Sequence, residues 1–286
     1  MRENLPTIKN RSENKIEQKE QLLAETTVYI NAGGRGTRME SIFSKGERGI
    51  TKALIEFNGK PMIKSHVDLI KNFGFRNIVV GGGDHQNVAD YFSKLDLEDV
   101  EVVTTSQQED TGGDLIKAVR ENENTFGASI LVENVDTLLY VKTINDLLKQ
   151  HKKTKALATI VLTTKKGVPN EDAFFVDGNG KVIFSKESRS FDNSNEPINF
   201  KGYRGSSTGM VVFDKERLLN YRWQAGDGKL SIYGDIIPDL IQQGGLMAYN
   251  TGKVFFIDTG TPTNYKRIKR HEKKVFGGLK NKYLKQ

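Results

Sequence analysis

The sequence predicts an α/β fold: a Rossmann-like, mainly parallel mixed sheet flanked by helices, with β-hairpin insertions in its second half. Three observations carry that prediction. Between residues 26 and 163, short β-branched runs alternate with segments whose apolar residues recur at helical spacing. Such alternation builds strand–helix–strand units that cover a sheet on both faces and bring ligands to the carboxyl ends of its strands. Beyond residue 173 the texture changes to paired short runs around Asp-Gly and Thr-Gly turns, which is how hairpins are written. The 286 residues suffice for one large domain with a substantial core.

Taken in order, residues 26–30 (TTVYI) read as the first strand, which breaks into a glycine-rich loop over 31–38. Asn58-Gly59-Lys60-Pro61 is a turn whose proline suits a first helical turn, and Ile63, Val67, Ile70 and Phe73 then recur on one helix face. Residues 77–80 form a short strand, 88–92 lie in a helix, 100–104 form a strand and 114–120 a helix. A buried strand follows at 128–132, then a helix at 144–151 with Thr143 as its N-cap, then a strand at 156–163. Residues 174–176 and 182–184 flank Asp177-Gly178-Asn179-Gly180 as a hairpin. A strand at 210–213, a helix at 236–242 and a second hairpin, 248–250 with 254–258 about Thr251-Gly252, complete the domain. The expected organisation is a polar extension at 1–26, one domain at 27–268 and a basic tail at 269–286.

Composition excludes several chemistries. With no cysteine there are no disulfides, zinc thiolates, iron–sulfur clusters or thiol nucleophiles. The four histidines, at 66, 85, 151 and 271, are too scattered for a multi-histidine metal site, and His66 and His151 fall on predicted helices as structural imidazoles. The net charge of +7 suits nucleic acid, an anionic membrane surface or a phosphorylated substrate. Part of the excess sits in residues 266–285, a solvated basic tail, and no RNA module, Cys/His finger or basic heptad array is present, so no nucleic-acid partner is expected. No apolar run approaches the ~20 residues of a membrane span. The first 25 residues hold no apolar signal core either, so a cytoplasmic protein without a membrane partner is expected.

The glycine loop is neither common phosphate loop. A G-x-G-x-x-G from Gly34 would need glycine where Met39 stands, and no G-x-x-x-x-G-K-[ST] occurs. What remains is a strand followed by Ala32-Gly33-Gly34-Arg35-Gly36-Thr37-Arg38. Small residues there let backbone N–H groups approach phosphate oxygens, and Arg38 adds a planar charged fork. Taken alone, the loop serves equally as a glycine-rich turn with a surface arginine.

With its neighbours the loop resembles the opening of the sugar-1-phosphate nucleotidylyltransferases: an apolar strand, G-G-x-G-T-R, a lysine ahead of an apolar strand, then G-K-P. The counterparts are the loop just quoted, Lys52 in Ile50-Thr51-Lys52-Ala53-Leu54-Ile55, and Asn58-Gly59-Lys60-Pro61. The likeness continues through GGGDHQNVADYF at 81–92, Thr111-Gly112-Gly113, and LVENVDT at 131–137, similar to a family strand ending in N-G-D. It closes with FIDTGTPTNY at 256–265, similar to D-x-G-T-P-x-x-Y, so residues 27 to about 268 are covered. The implied fold is of the nucleotide-diphospho-sugar transferase type. The implied reaction transfers a nucleoside monophosphate from an NTP to a sugar 1-phosphate, giving an NDP-sugar and pyrophosphate.

That resemblance implies roles. Arg38 contacts the triphosphate, the amides of the Ala32, Gly33, Gly34, Arg35, Gly36 and Thr37 loop cradle it, and Lys52 acts as a point charge at the α-phosphate. Asp136 and Asp258 each follow an apolar run, which puts hard oxygen ligands for Mg²⁺ at the carboxyl ends of strands. Gln107 or Gln108 presents an amide to the base, with Gly112 and Gly113 closing beside the ring, and the base itself stays open. Departures are Val135 for the glycine before the metal aspartate, Thr51 for a proline, an inserted SIFSKGERG, and no E-K-P lysine. Lys186, Glu187 or Arg189 takes the sugar-phosphate position, or none does and the acceptor is an unusual one, with Gly209 of Ser207-Thr208-Gly209 at the sugar. The alternatives are a cytidylyltransferase for a non-sugar monoester such as phosphocholine and a catalytically silent nucleotide-binding regulator. Tyr221 and Trp223 either cover the core or form a homo-oligomer contact.

Overall fold

The computed structural model describes residues 8–34, 39, 51–83, 85–95, 97, 99–104, 110–139, 144–164, 173–186, 200–220, 229–252 and 256–272. Helix α1 (Ile8–Ala24) leads into β1 (Thr26–Asn31), and a short 3-10 turn, Lys52–Leu54, precedes the two-residue strands β2 (Glu56–Phe57) and β3 (Lys60–Pro61). Next come α2 (Met62–Phe73), β4 (Ile78–Gly83), α3 (Gln86–Ser93), β5 (Val100–Thr104), α4 (Asp110–Glu121), β6 (Ser129–Asn134), β7 (Thr137–Leu139) and α5 (Ile144–Thr154). Then follow β8 (Ala158–Thr163), β9 (Ala173–Asp177), β10 (Val182–Lys186), β11 (Gly202–Asp214), α6 (Lys215–Asn220), α7 (Ile237–Gln243), β12 (Leu246–Asn250), β13 (Phe256–Asp258) and α8 (Pro262–Arg270).

Among the described residues, nine strands form one sheet along the path β10-β9-β11-β6-β1-β4-β5, with β8 beside β11 and β12 beside β8. Its centre, β6-β1-β4-β5, is parallel. β11 runs antiparallel to β6, β8 and β9. The result is the mixed α/β architecture with a mostly parallel centre that the alternating sequence predicts.

Period-two alternation along the strands divides the core. Val28 and Ile30 of β1, Ile78 and Val80 of β4, and Leu131 of β6 join one apolar cluster with Ile63, Val67 and Ile70 of α2. Their neighbours Tyr29, Val79, Ile130 and Val132 join a second cluster with Leu115 and Val119 of α4 and Leu240 of α7. Strands buried on both faces read as unbroken apolar runs, which is why β1 and β8 stand out in the sequence. Helix α2 follows Pro61 and ends at Gly74, whose φ of 99° lets its N–H reach the Ile70 and Lys71 carbonyls.

The second hairpin does not form. β12 pairs parallel with β8, and the Thr251 N–H and hydroxyl both donate to the Leu162 carbonyl, continuing the run along β8. β13 instead pairs antiparallel with β7, outside the main sheet. A Thr-Gly turn between two short runs states that the chain bends, not which neighbour each run finds. The strand expected at 210–213 is likewise the end of the thirteen-residue β11, which bends where its register shifts between Ser207 and Val211. Helix α4 starts at Asp110, four positions before the expected start. The segment set apart as a polar extension includes α1, whose Leu23 is buried in the first cluster.

Candidate functional site

The carboxyl ends of β1, β4 and β6 meet at one edge of the parallel centre. Ala32 continues β1, donating its N–H to the Gly81 carbonyl at 2.8 Å, and Val135 continues β6, donating to the Asn31 carbonyl at 3.1 Å. Gly33 then passes Gly83 so closely that a Cβ on Gly33 would lie 2.9 Å from the Gly83 N and Cα. The triple glycine closing β4 thus makes room for the loop leaving β1.

Lys52 stands on the 3-10 turn ahead of α2, and its Nζ donates to Asp136 Oδ2 at 2.7 Å. The two side chains are 15% and 18% exposed, so the pair is mostly shielded from water. Asp136 follows β6 by two residues. The Thr259 N–H and hydroxyl hold the Asp136 backbone carbonyl, at 2.8 and 3.0 Å. Asp258 reaches the same place because β13 pairs with β7 in a register that sets Asp258 opposite Thr137.

Gly260 lies between the two carboxylates: a Cβ built on it would be 2.8 Å from Asp136 Oδ2 and 3.1 Å from Asp258 Oδ1. Asp258 is held by the Gly260 N–H at 2.7 Å and by Asn264 Nδ2 at 3.4 Å. Asn264 itself stands in the first turn of α8, capped by Thr261 with Pro262 behind it. Two hard carboxylates converging on a position kept clear of side chain form a donor set suited to Mg²⁺, which takes one or two protein carboxylates with water and phosphate oxygens completing its shell. Among the described residues no cluster of three or more His, Cys, Asp or Glu side chains offers a fuller cage.

A cleft of about 210 Å³ opens beside this centre, lined by Asn31, Gly33, Gly34, Asp110, Thr111, Asp114 and Lys229. Gly34 is exposed on it, whereas Ala32 and Gly33 are buried. Gly112 and Gly113 are not laid open toward the cleft. Both are buried in α4 and donate their N–H groups to the Leu230 carbonyl, and a Cβ on Gly112 would meet that oxygen at 2.8 Å. They let the segment before the π-helical Ile232–Ile236 pack onto the start of α4.

Gly209, at φ 82°, sits at the bend of β11, where an added Cβ would lie 3.4 Å from Asn134 Nδ2 and from Thr137 Oγ1. It therefore borders the end of β6 just ahead of Asp136. Lys186 is the last residue of β10, opposite Ala173, which in turn is opposite Ser206 of β11. Arg35, Gly36, Thr37, Arg38, Gln107, Gln108, Glu187, Arg189, Tyr221 and Trp223 lie outside the described residues. The structure brings Lys52, Asp136 and Asp258 together. It adds Asn31, Asp110, Asp114 and Lys229 to the cleft, single polar residues that follow no motif in the sequence.

The fold is that of a nucleotidyltransferase-type domain. The sequence profile of the MobA-like NTP transferase domain matches residues 28–200, and the chain belongs to that family. It is similar to the bifunctional protein GlmU of Halalkalibacterium halodurans, 27% identical over 219 residues, covering 74% of this chain and 43% of that protein. The GlmU of Fervidobacterium nodosum is 35% identical over 158 residues, covering 54% of this chain and 31% of that protein. The chain thus spans less than half the length of these curated relatives. The crystal structure of HddC from Yersinia pseudotuberculosis superposes with a TM-score of 0.63 at 21% identity, covering 84% of this chain and 96% of that one. A second HddC structure, complexed with GMP-PN, gives the same TM-score. Among the described residues no helix is long and apolar enough to cross a membrane.

Proposed function

We propose that the chain transfers a nucleoside monophosphate from an NTP to a sugar 1-phosphate, releasing pyrophosphate, with Mg²⁺ as cofactor. The observation that carries this reading is the meeting of Asp136 and Asp258 at Gly260, with Lys52 paired to Asp136, beside a cleft lined by Gly33 and Gly34. In this reaction a phosphate oxygen of the acceptor attacks the α-phosphorus, a new P–O bond forms, and the bond to the bridging oxygen breaks as pyrophosphate leaves. Negative charge accumulates on the non-bridging and leaving oxygens, so catalysis rests on placing positive charge around them.

Lys52 supplies a compact ammonium, a point charge on a flexible stem. Asp136 holds that ammonium in position before a phosphate oxygen takes over part of the contact. Asp136 and Asp258 are the residues that would hold Mg²⁺, which supplies charge neutralisation at the phosphates when bound. The Gly33-Gly34 turn lets a triphosphate approach the backbone. Lys186 supports an acceptor phosphate, since it ends the strand two places from the β11 bend at Gly209.

The test is pyrophosphate release with Mg²⁺ and each of CTP, GTP, UTP, dTTP and ATP, against hexose, heptose and amino-alcohol phosphates. A productive pair with a sugar 1-phosphate is expected. Turnover only with an amino-alcohol phosphate would replace the acceptor assignment, and triphosphate binding without turnover on any acceptor would leave a binding protein.

A further inference from the structure

Behind the site, α2 meets the sheet through an apolar layer that includes a polar pair. On the face of β6 turned to α2, Leu131 and Val135 belong to the first apolar cluster, as do Ile30 and Met210, the residues opposite Glu133 on β1 and β11. Glu133 is buried among them and meets His66 of α2, itself 1% exposed, with Nδ1 3.4 Å from the carboxylate Oε2. The other ring nitrogen, Nε2, is buried and has no partner, so the contact with Glu133 is what orients the ring.

Stability does not require this arrangement. Two apolar side chains of similar shape in place of a buried polar pair are nearly neutral or stabilising, whereas a pair that loses one member is costly. What the pair adds is direction. An apolar layer can repack with small shifts of a helix over a sheet, while a hydrogen bond holds only near one distance and angle.

Both members of the pair lead to the site by short paths. One turn back along α2 from His66, the Met62 N–H donates to the Ile55 carbonyl at 2.9 Å, and the Ile55 N–H donates to the Lys52 carbonyl at 3.2 Å. From Glu133, the chain reaches Asp136 in three residues at the end of β6. The Lys52–Asp136 contact of 2.7 Å therefore depends on how α2 is set against β6. We propose that His66 and Glu133 are positioning residues that set Lys52 against Asp136, an inference whose kinetic consequence rests on the nucleotidyl-transfer reading. A misplacement of about 1 Å caused far from the chemistry can cost on the order of a hundredfold in rate.

The experiment uses the full chain as wild type, as Glu133→Gln, and with His66→Leu and Glu133→Leu combined. Each is acetylated briefly with acetic anhydride, and the modification of Lys52 is read by peptide mass spectrometry. Lys215, which bonds the Glu123 and Phe126 carbonyls at the opposite end of β6, is the internal reference. In the double variant Lys52 should react about tenfold faster and kcat for pyrophosphate release should fall about tenfold, with KM for the triphosphate within about threefold. Its melting temperature should stay within about 5 °C of wild type and Lys215 should react as before. Glu133→Gln keeps a hydrogen-bonding group in place and should stay within about threefold of wild type in both readouts. Lys52 as protected in the double variant as in wild type would overturn the assignment, and so would Lys52 and Lys215 becoming reactive together, which marks general loosening. Should the double variant not fold, Glu133→Leu alone is labelled and read the same way. Labelling needs no substrate: selective exposure of Lys52 without turnover on any acceptor would keep the positioning role and remove the nucleotidyl-transfer reading, and exposure with kcat unchanged would take the chemistry off Lys52.

Discussion

Lys52 and Asp136 stand 84 residues apart in the chain and 2.7 Å apart in space. Each alone has an ordinary explanation, a surface lysine and a turn-forming aspartate; their contact at the end of a buried strand does not. Lys52→Ala is expected to lower kcat by about tenfold or more, because it withdraws a positive charge from the phosphate that becomes more negative. Steady-state kinetics with pyrophosphate detection checks this, and unchanged kinetics would move the role to Lys45 or Arg48. Asp136→Asn should abolish most Mg²⁺-dependent turnover, and activity surviving within about threefold would end its assignment as a metal ligand. Gly260→Ala is a finer probe, since the new methyl would occupy the space between Asp136 and Asp258. Its expected signature is a raised Mg²⁺ requirement with a melting temperature close to wild type; a Mg²⁺ titration curve that does not move would argue against a shared ion at that point.

Elements place these residues by packing that local sequence does not state. β13 is three residues long, and only its pairing with β7 sets Asp258 beside Asp136. Within β6, the buried Glu133 carboxylate faces His66 Nδ1 of α2 at 3.4 Å, joining the helix behind Lys52 to the strand ahead of Asp136. His66→Leu removes the polar side chain that faces Glu133 and should destabilise the fold by about 1–3 kcal/mol, the range for leaving a buried polar group without its partner. Urea denaturation checks it, and a loss under about 1 kcal/mol would mean that Glu133 is satisfied some other way. Helix α1 docks through Leu23, 5% exposed in the first apolar cluster. Leu23→Ala should therefore cost about 2–5 kcal/mol; no measurable loss would mean that α1 adds little to the domain.

At the scale of the whole molecule, His151 couples stability to pH. It is buried between α5 and the sheet, with Nδ1 2.9 Å from the Thr159 hydroxyl. Burial pushes its pKa down to about 4 from an ordinary 6.5, against the pull of Asp214 and with a lesser push from Arg217. The folded chain therefore refuses a proton that the unfolded chain accepts. Stability is full above about pH 6.5 and falls as the pH drops toward 4, by roughly 3 kcal/mol for a shift of this size. His151→Gln should flatten that part of the profile in denaturant unfolding at pH 7 and pH 5; an unchanged slope would assign the acid sensitivity to other groups. The excess of positive charge, +7 over the chain, favours encounter with polyphosphates and predicts binding that weakens with added salt.

The sequence by itself determined the class of fold, because strands buried on both faces leave runs such as TTVYI and helices leave apolar residues at helical spacing, and both periodicities are local. It also supplied the loop, the lysine and the two aspartates in order along the chain. Several things were decided only in three dimensions. One is which strands pair: the Thr251-Gly252 bend reads as a hairpin, yet its two arms pair with β8 and β7, and a short run does not say which edge it will meet. Another is that Gly112 and Gly113 serve helix packing against Leu230, since a glycine in a sequence does not say what approaches it. The last is the wall of the cleft, assembled from Asn31, Asp110, Asp114 and Lys229, whose common address is a matter of contacts between distant segments and leaves no spacing to read.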